Sequence, residues 1–328
     1  MQVLTDALRA SDLPRGGVVT IGNYDGIHRG QREVLALVAA RARELGVPAV
    51  VVTFQPHPLS VLRPGEVPVP LTHPAQREQL LDALGIDFVL VVRFSEEVAA
   101  TPARAFVREF LVEKLAAREV YVGSRFVFGH RREGDLALLR ELGPAYGFAA
   151  FGVEEVSHGG ETISASRIRR AIVEGRVEEA AELLGRPYAV TGIIVRGDRM
   201  GKRLGWPTVN LAADNELLPA DGVYCSRVHF PSFPATFDCA TNIGTRPTVY
   251  ENYQRVIEGH ILDFSSDVYG ERTELSFHKR LREERLFPTV MDLSAQIRRD
   301  VEATREYFAA RRRLEQEKAI PAPEPAGS

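Results

Sequence analysis

The chain has 328 residues, a formal net charge of −3, 45% apolar and 26% charged residues, and two cysteines. At roughly 100–200 residues per domain, that length predicts two domains, and the composition is that of a soluble globular chain. Cys225 and Cys239 cannot build a disulfide framework or a four-thiolate metal site, and no apolar run nears the roughly 18 residues of a membrane span.

The opening segment MQVLTDALRASD has neither the basic start nor the apolar core of a signal peptide, so the chain is expected in the cytoplasm. Residues 1–185 carry 21 Lys+Arg against 24 Asp+Glu, and residues 186–328 carry 20 of each. Neither half has the positive excess that phosphate-backbone binding uses, so neither nucleic acid nor a membrane is an expected partner. Only four cations are lysines (114, 202, 279 and 318). A phosphate clamp here must use Arg, His, helix N-termini or a metal.

In chain order, GVVTIG (17–22) reads as a buried strand, followed by the glycine-punctuated loop NYDGIHRG. Val34, Leu35, Leu37, Val38 and Leu45 recur at helical spacing, and Gly46 is a stop signal. Strands follow at 49–54, 87–94, 119–123 and 148–153, with helices over 75–84, from Pro102 to about Ala117, and near 134–143. Short apolar strands alternating with helices predict βαβ units and a doubly wound parallel sheet, an α/β fold. Helices at 167–174 and 177–184 lead to a change of style near 186. Candidate strands at 188–196, 222–230, 236–243, 255–264 and 272–280, separated by turn residues, predict an antiparallel β-barrel. A last helix, about 290–310, sets Leu293, Ile297, Val301 and Phe308 on one side. The Pro/Ala/Glu-rich end predicts disorder over 311–328.

In a doubly wound sheet, ligands bind beyond the carboxyl ends of the strands. That places Gly22, Asn23, Asp25, His28 and Gln31 at the first strand–helix junction, where a helix N-terminus offers free N–H groups to a phosphate. The glycine spacing 22, 26, 30 is not G-x-G-x-x-G, and the nearest approach to a P-loop, Gly197 to Arg203, is one residue short and lacks Ser/Thr.

GNYDGIHRGQ resembles the G-N-F-D-G-x-H-x-G-H segment of nucleotidylyltransferases. Three further segments occur in the order expected of bacterial FAD synthetases: Thr53-Phe54-Gln55-Pro56-His57-Pro58, Val122 to Gly129, and Ile163-Ser164-Ala165-Ser166-Arg167-Ile168-Arg169. In the second half, Gly205-Trp206-Pro207-Thr208-Val209-Asn210-Leu211 resembles the G-[FY]-P-T-A-N segment of riboflavin kinases, and Glu258 to Phe264 follows in order. The pattern, over about residues 16–308, resembles prokaryotic bifunctional riboflavin kinase/FMN adenylyltransferases.

That resemblance implies an FMN adenylyltransferase domain over 1–185 and a riboflavin kinase barrel over 186–310, with riboflavin, FMN and ATP as substrates and Mg²⁺ accompanying ATP. It implies ATP on the first loop, with His28 catalytic and with Ser164, Ser166 and Arg167 on the phosphates. Phe54, His57, Pro58, Arg125, Phe126 and Phe128 would hold the flavin. In the barrel it implies Gly201, Lys202, Pro207 and Thr208 on ATP, Thr208 and Asn210 as metal ligands, and Glu258 as the base that takes the riboflavin hydroxyl proton. Two residues depart from the family. Gln31 replaces the second His of H-x-G-H and carries no positive charge. Arg125 replaces the Asp/Asn of V-G-x-[DN]-F. An alternative reading is a riboflavin kinase with a degenerate N-terminal domain.

Overall fold

The computed structural model describes residues 1–10, 12–197, 201, 205–247 and 253–319. Its contacts divide the chain into two units. In the first, six strands form one parallel sheet: β1 (Gln2–Thr5), β2 (Val18–Ile21), β3 (Ala49–Gln55), β4 (Phe88–Arg93), β5 (Glu119–Gly123) and β6 (Ala149–Val153). The order across the sheet is β1-β4-β3-β2-β5-β6. Five of these strands match the sequence reading. β1 escaped it because QVLT is a four-residue, half-exposed edge with no periodicity to read.

The near-continuous apolar runs of β2 to β5 follow from burial on both faces. Alternate residues feed two separate cores. Val19, Ile21, Val50, Val52, Leu90 and Val92 pack with Phe106, Phe110 and Leu139 on one side. Val18, Val51, Val89 and Val91 pack on the other with α1 (Arg29–Leu45), which contributes Leu35, Val38 and Ala42. Gly46 ends α1 at φ +63°, a left-handed cap that suits glycine. Other helices of this region include α2 (Pro58–Leu62), α3 (Pro74–Ala83), α4 (Leu136–Tyr146) and α5 (Ala165–Val173), and the helix expected from Pro102 is present as Ala103–Phe106 continuing through Val107–Lys114. The chain steps from β2 to β3 to β4 in one direction and then returns to β5 on the far side of β2. The point of reversal lies between β2 and β5, the place where such sheets open a crevice.

The second unit is a closed barrel of β7 (Tyr188–Val195), β8 (Val209–Ala213), β9 (Gly222–His229), β10 (Thr236–Pro247), β11 (Tyr253–Ile261) and β12 (Arg272–Arg282), in the order β7-β8-β11-β10-β9-β12. The sequence reading had five of these strands and lacked β8. The interior is filled by Ile194, Val209, Leu211, Cys239, Ile257 and Leu275, which leave about 10 Å³ of space. The predicted boundary at residue 185 meets a different grouping. Residues 168–182, including much of α6 (Val177–Leu184), contact the barrel, while 183–185 contact the sheet. Ala220 N–H donates to the Ile172 carbonyl at 3.3 Å, and the Glu178 carboxylate accepts from the Arg280 N–H at 3.4 Å.

α7 runs over Val290–Ala319. The disorder expected from residue 311 is therefore corrected as far as Ala319; the residues beyond lie outside the described set. EYFAARRRLEQEKA is rich in strong helix formers, Arg311 pairs with Glu315 one turn on, and Arg312 ties the helix to Asp238 at 2.6 Å. Phe308 of α7 is fully buried, against His278 and the Arg227 guanidinium. Cys225 and Cys239 are free and buried, and burial pushes both thiols up to about 11, so they are inert fillers.

His278 lies under α7 with its Nδ1 buried and unpartnered, and its Nε2 3.1 Å from Ser276 Oγ. Burial, helped by Arg311 and Arg227, lowers its pKa to about 4 from an ordinary 6.5. The folded state therefore binds fewer protons than the unfolded chain between those values. Stability is complete above about pH 6.5 and falls by on the order of 3 kcal/mol as pH drops towards 4. The expected outcome is that the urea midpoint of the barrel drops between pH 7.5 and 4.5, and drops less in His278→Gln. An equal drop in both proteins would remove His278 from the account.

Candidate active sites

At the reversal point a cavity of about 200 Å³ is lined by Gly22, Asn23, His28 and Gln31 from the β2–α1 junction, by Gly123 from β5, and by Glu154 and Glu155 after β6. His28 is the N-cap of α1. Its Nδ1 accepts from the Gln31 N–H at 3.4 Å, and the Gln31 side-chain oxygen accepts from the His28 N–H at 3.2 Å. This reciprocal capping box satisfies two otherwise orphaned donors. It also sets the imidazole: with Nδ1 accepting, the neutral ring carries its proton on Nε2.

Asp25 does not line the cavity. Its carboxylate accepts from the Leu71 N–H at 2.9 Å and the Thr72 N–H at 3.3 Å, which hangs the phosphate-loop candidate on a segment 46 residues away. Gly26, at φ +84°, lies against Leu71 so closely that a Cβ would sit 2.6 Å from it. Tyr24 and Ile27 hold positive φ inside the buried loop, a strain that these anchors must offset. Buried Tyr24 shares a 2.5 Å hydrogen bond with Thr20, and burial raises its phenol well above the ordinary value.

The other expected residues of this half surround the junction. His57 caps α2, accepting from the Leu59 N–H, and its Nε2 lies 3.1 Å from the Asn23 amide; Pro58 opens that helix. Phe54 meets Phe94 edge-on, and Phe126 stacks on Phe128 at 5.6 Å; all three predicted aromatics pack against the core while staying half-buried. Ser164 Oγ accepts from the Arg167 N–H, an N-cap interaction for α5, and Ser166 is exposed. Arg167 donates to the carbonyls of His158 and Glu161 at 2.9 and 3.2 Å. Arg125 stands exposed and forms a two-pronged ion pair with Glu155.

In the barrel, a cavity of about 480 Å³ lies on the outer face, lined by Gly201, Thr208 and Glu258 together with Asn242, His260, Arg282 and α7 residues. Antiparallel register puts Glu258 on β11 opposite Asn210 on β8 and opposite Asn242 on β10, so the three side chains share one rung and one face. Gly197 and Gly201 stand close to Asn210 and Thr208. A Cβ at Gly197 would be 2.2 Å from the Asn210 amide, and one at Gly201 would be 3.0 Å from Thr208 Oγ1. The Pro207 carbonyl lies 2.8 Å from His260 Nδ1. Trp206 donates to Ser294 on α7 at 3.2 Å. The far wall is held by the Arg282–Asp300 ion pair at 2.7 Å. Lys202 lies outside the described residues. Asn242, His260 and the 282–290 wall were not singled out from the sequence.

Asp25→Ala is expected to free the Leu71 and Thr72 amides at a local cost of about 1–3 kcal/mol. Their hydrogen exchange should then accelerate roughly tenfold to hundredfold. Unchanged exchange would show that the carboxylate does not hold the loop.

Comparison with known proteins completes the picture. A family model described as FAD synthetase matches residues 10–167, and one described as riboflavin kinase matches 184–308. Proteins described as bifunctional riboflavin kinase/FMN adenylyltransferase are similar over nearly the whole chain. The one from Escherichia coli K12 is 36% identical over 94% of this chain and 98% of its own length. That from Pseudomonas fluorescens is 36% identical over 90% and 94%, and that from Haemophilus influenzae 31% over 94% and 99%. A crystal structure described as a macrolide-efflux protein from Streptococcus pneumoniae matches with a TM-score of 0.85 and 29% identity, over 92% of this chain and 98% of that one. Among the described residues here, no helix is long and apolar enough to cross a membrane. With a FAD synthetase half on the parallel sheet and a riboflavin kinase half on the barrel, the chain belongs to the bifunctional riboflavin kinase/FMN adenylyltransferase family.

Proposed function

We propose a division of labour in which the barrel, over about 186–310, makes FMN from riboflavin, and the sheet domain, 1–185, adenylylates FMN to FAD. The enzyme uses ATP in both reactions, and its flavin substrates are riboflavin and FMN. An ATP-consuming enzyme of this kind works in the cytoplasm. The observation that carries the kinase assignment is that Thr208, Asn242 and Glu258 line the barrel cavity, with Asn210 opposite Glu258 in the strand register.

In the kinase step, the Glu258 carboxylate accepts the proton of the riboflavin 5′-hydroxyl as its oxygen attacks the γ-phosphorus of ATP and ADP leaves. The glycine loop through Gly201, with Lys202 and Pro207, covers the phosphates. Thr208 and Asn210 offer a hydroxyl and an amide oxygen, the hard neutral donors that suit Mg²⁺ when it arrives with substrate phosphates and its own waters. Bound there, the ion would supply charge neutralisation on the phosphates.

In the adenylylation step, an FMN phosphate oxygen attacks the α-phosphorus of ATP and pyrophosphate leaves. His28 Nε2–H and the first N–H groups of α1 stabilise charge on the phosphate oxygens, with Gly22, Asn23 and Gln31 shaping the loop. Asp25 acts from behind, by fixing that loop. Ser164, Ser166 and Arg167 serve the leaving phosphates from the start of α5. Phe54, His57, Pro58, Phe126 and Phe128 form the flavin side of the site, with Arg125 at its rim. Matches to both family models, and relatives that are bifunctional, favour this reading over a kinase with a degenerate transferase domain.

Incubating the full chain with riboflavin, ATP and Mg²⁺ should yield both FMN and FAD on chromatography; FMN alone would remove the adenylyltransferase half. Glu258→Gln should lower FMN formation by roughly 10²–10⁴ while leaving FAD formation from supplied FMN near normal. His28→Ala should do the converse, lowering FAD formation by about 10²–10³. Near-normal turnover in either variant would overturn that residue's role.

A further inference from the structure

The adenylyltransferase cavity presents an electrostatic difficulty. Its described lining includes two carboxylates, Glu154 and Glu155, and no Lys or Arg. The family's second histidine, which can carry charge, is Gln31 here, and Gln31 is engaged in the capping box. A polyanionic nucleotide and a phosphorylated flavin must nonetheless meet in it. A cation paired with one of these lining carboxylates, Glu155, is Arg125, the other departure from the family pattern.

Arg125 is well placed to change partners. It follows Gly123 and Ser124 at the end of β5, where the Ser124 N–H donates to the Val153 carbonyl at 2.9 Å and the Phe126 N–H donates to the Gly123 carbonyl at 2.9 Å. The backbone on both sides is thus fixed beside the crevice. The side chain is 69% exposed, and its Nε and Nη2 grip the two oxygens of Glu155. That fork matches a phosphate as well as a carboxylate. Glu155 is itself 34% exposed and also accepts from Thr162 Oγ1 at 3.3 Å. Its carboxylate therefore keeps a donor and water when the guanidinium departs.

We propose that Arg125 is a phosphate-capturing residue of this site, parked on Glu155 in the free enzyme and transferred to a substrate phosphate on binding. The proposal rests on the adenylyltransferase reading of the first cavity. The charge absent at position 31 is then supplied from position 125. Parked, the pair also neutralises one of the two acidic groups that face the incoming anion. The shared chemistry is a phosphate group, carried by either FMN or ATP.

The test uses the full chain and compares wild type with Arg125→Asn, Arg125→Lys and Glu155→Gln. Arg125→Asn should raise the KM for FMN or for ATP in FAD formation by roughly tenfold to hundredfold, with kcat within about threefold. The substrate whose KM moves identifies the phosphate. Arg125→Lys should recover part of the loss, because a point charge replaces the fork. Glu155→Gln should lower the same KM severalfold by releasing the guanidinium. That KM should also rise more steeply with salt in wild type than in Arg125→Asn. FMN formation from riboflavin and the melting temperature should stay unchanged, which separates capture from a structural role. Unaltered KM values for both substrates in Arg125→Asn would overturn the proposal. If wild type forms no FAD, the adenylyltransferase reading itself fails, and equilibrium dialysis of FMN and of ATP then decides. Weaker binding of either to Arg125→Asn than to wild type upholds capture, and equal binding of both overturns it.

Discussion

The barrel depends on a single constraint: side chains on a strand alternate between two faces, and a closed barrel has one face with almost no room. With the interior packed down to about 10 Å³, every polar group of β8, β10 and β11 that carries chemistry must stand outside. Val209 and Leu211 point in while Asn210 points out; Ile257 and Gly259 point in while Glu258 points out. The barrel cavity therefore forms on the outer wall and needs another element to enclose it. α7 fills that need, and its dry anchors (Phe308 over Arg227, Val301 against Ala240 and Leu262) lie on the same outer surface. Removing α7 would leave the rung in place and open it to water.

The sheet domain solves a related problem by other means. Its central strands are buried on both faces and offer no wall for a site. Chemistry is confined to the ends of strands, at the one gap that the strand order opens between β2 and β5. Because the site is a loop, it must be made rigid. Asp25, Gly26 and Leu71 supply long-range anchors, and the His28–Gln31 capping box supplies a local one. Positive φ at Tyr24 and Ile27 persists because those anchors over-determine the loop.

These two designs explain what could be read from the sequence. α1 was legible because its apolar spacing, its cap region and Gly46 all agree. The parallel sheet was legible because double burial writes continuous apolar runs. β1 and β8 were not, being four and five residues long with no run to recognise. The extension of α7 to Ala319 was hidden by reading the chain's end as one compositional block, when only its last part is rich in proline. In the sites, motif resemblance singled out residues but not their partners. Glu258 was visible; Asn242, its rung neighbour, depends on a register between strands that no local pattern encodes. Asp25 was visible as a loop acid, while its acceptance of two N–H groups 46 and 47 residues away was not.

The two departures from the family belong to one physical account. A glutamine at the third helical position of α1 accepts from the His28 N–H, as a capping box requires, and its own N–H completes the box by donating to His28 Nδ1. A histidine there could add charge to the cavity, which the neutral amide does not. The backbone N–H of position 31 orients the His28 ring, and the Gln31 side chain closes the box on the His28 N–H while giving up a titratable group. The consequence is a site whose donor is well ordered and whose lining is net acidic, since Glu154 and Glu155 remain. Such a site needs a cation that does not depend on pH. Arginine is the side chain that stays charged throughout the physiological range, and it stands at position 125 in contact with one of those acids. In the proposed site, ordered neutral donors inside, Arg167 at the start of α5 and Arg125 beside Glu155 would let a chain with few lysines gather phosphate without a basic surface.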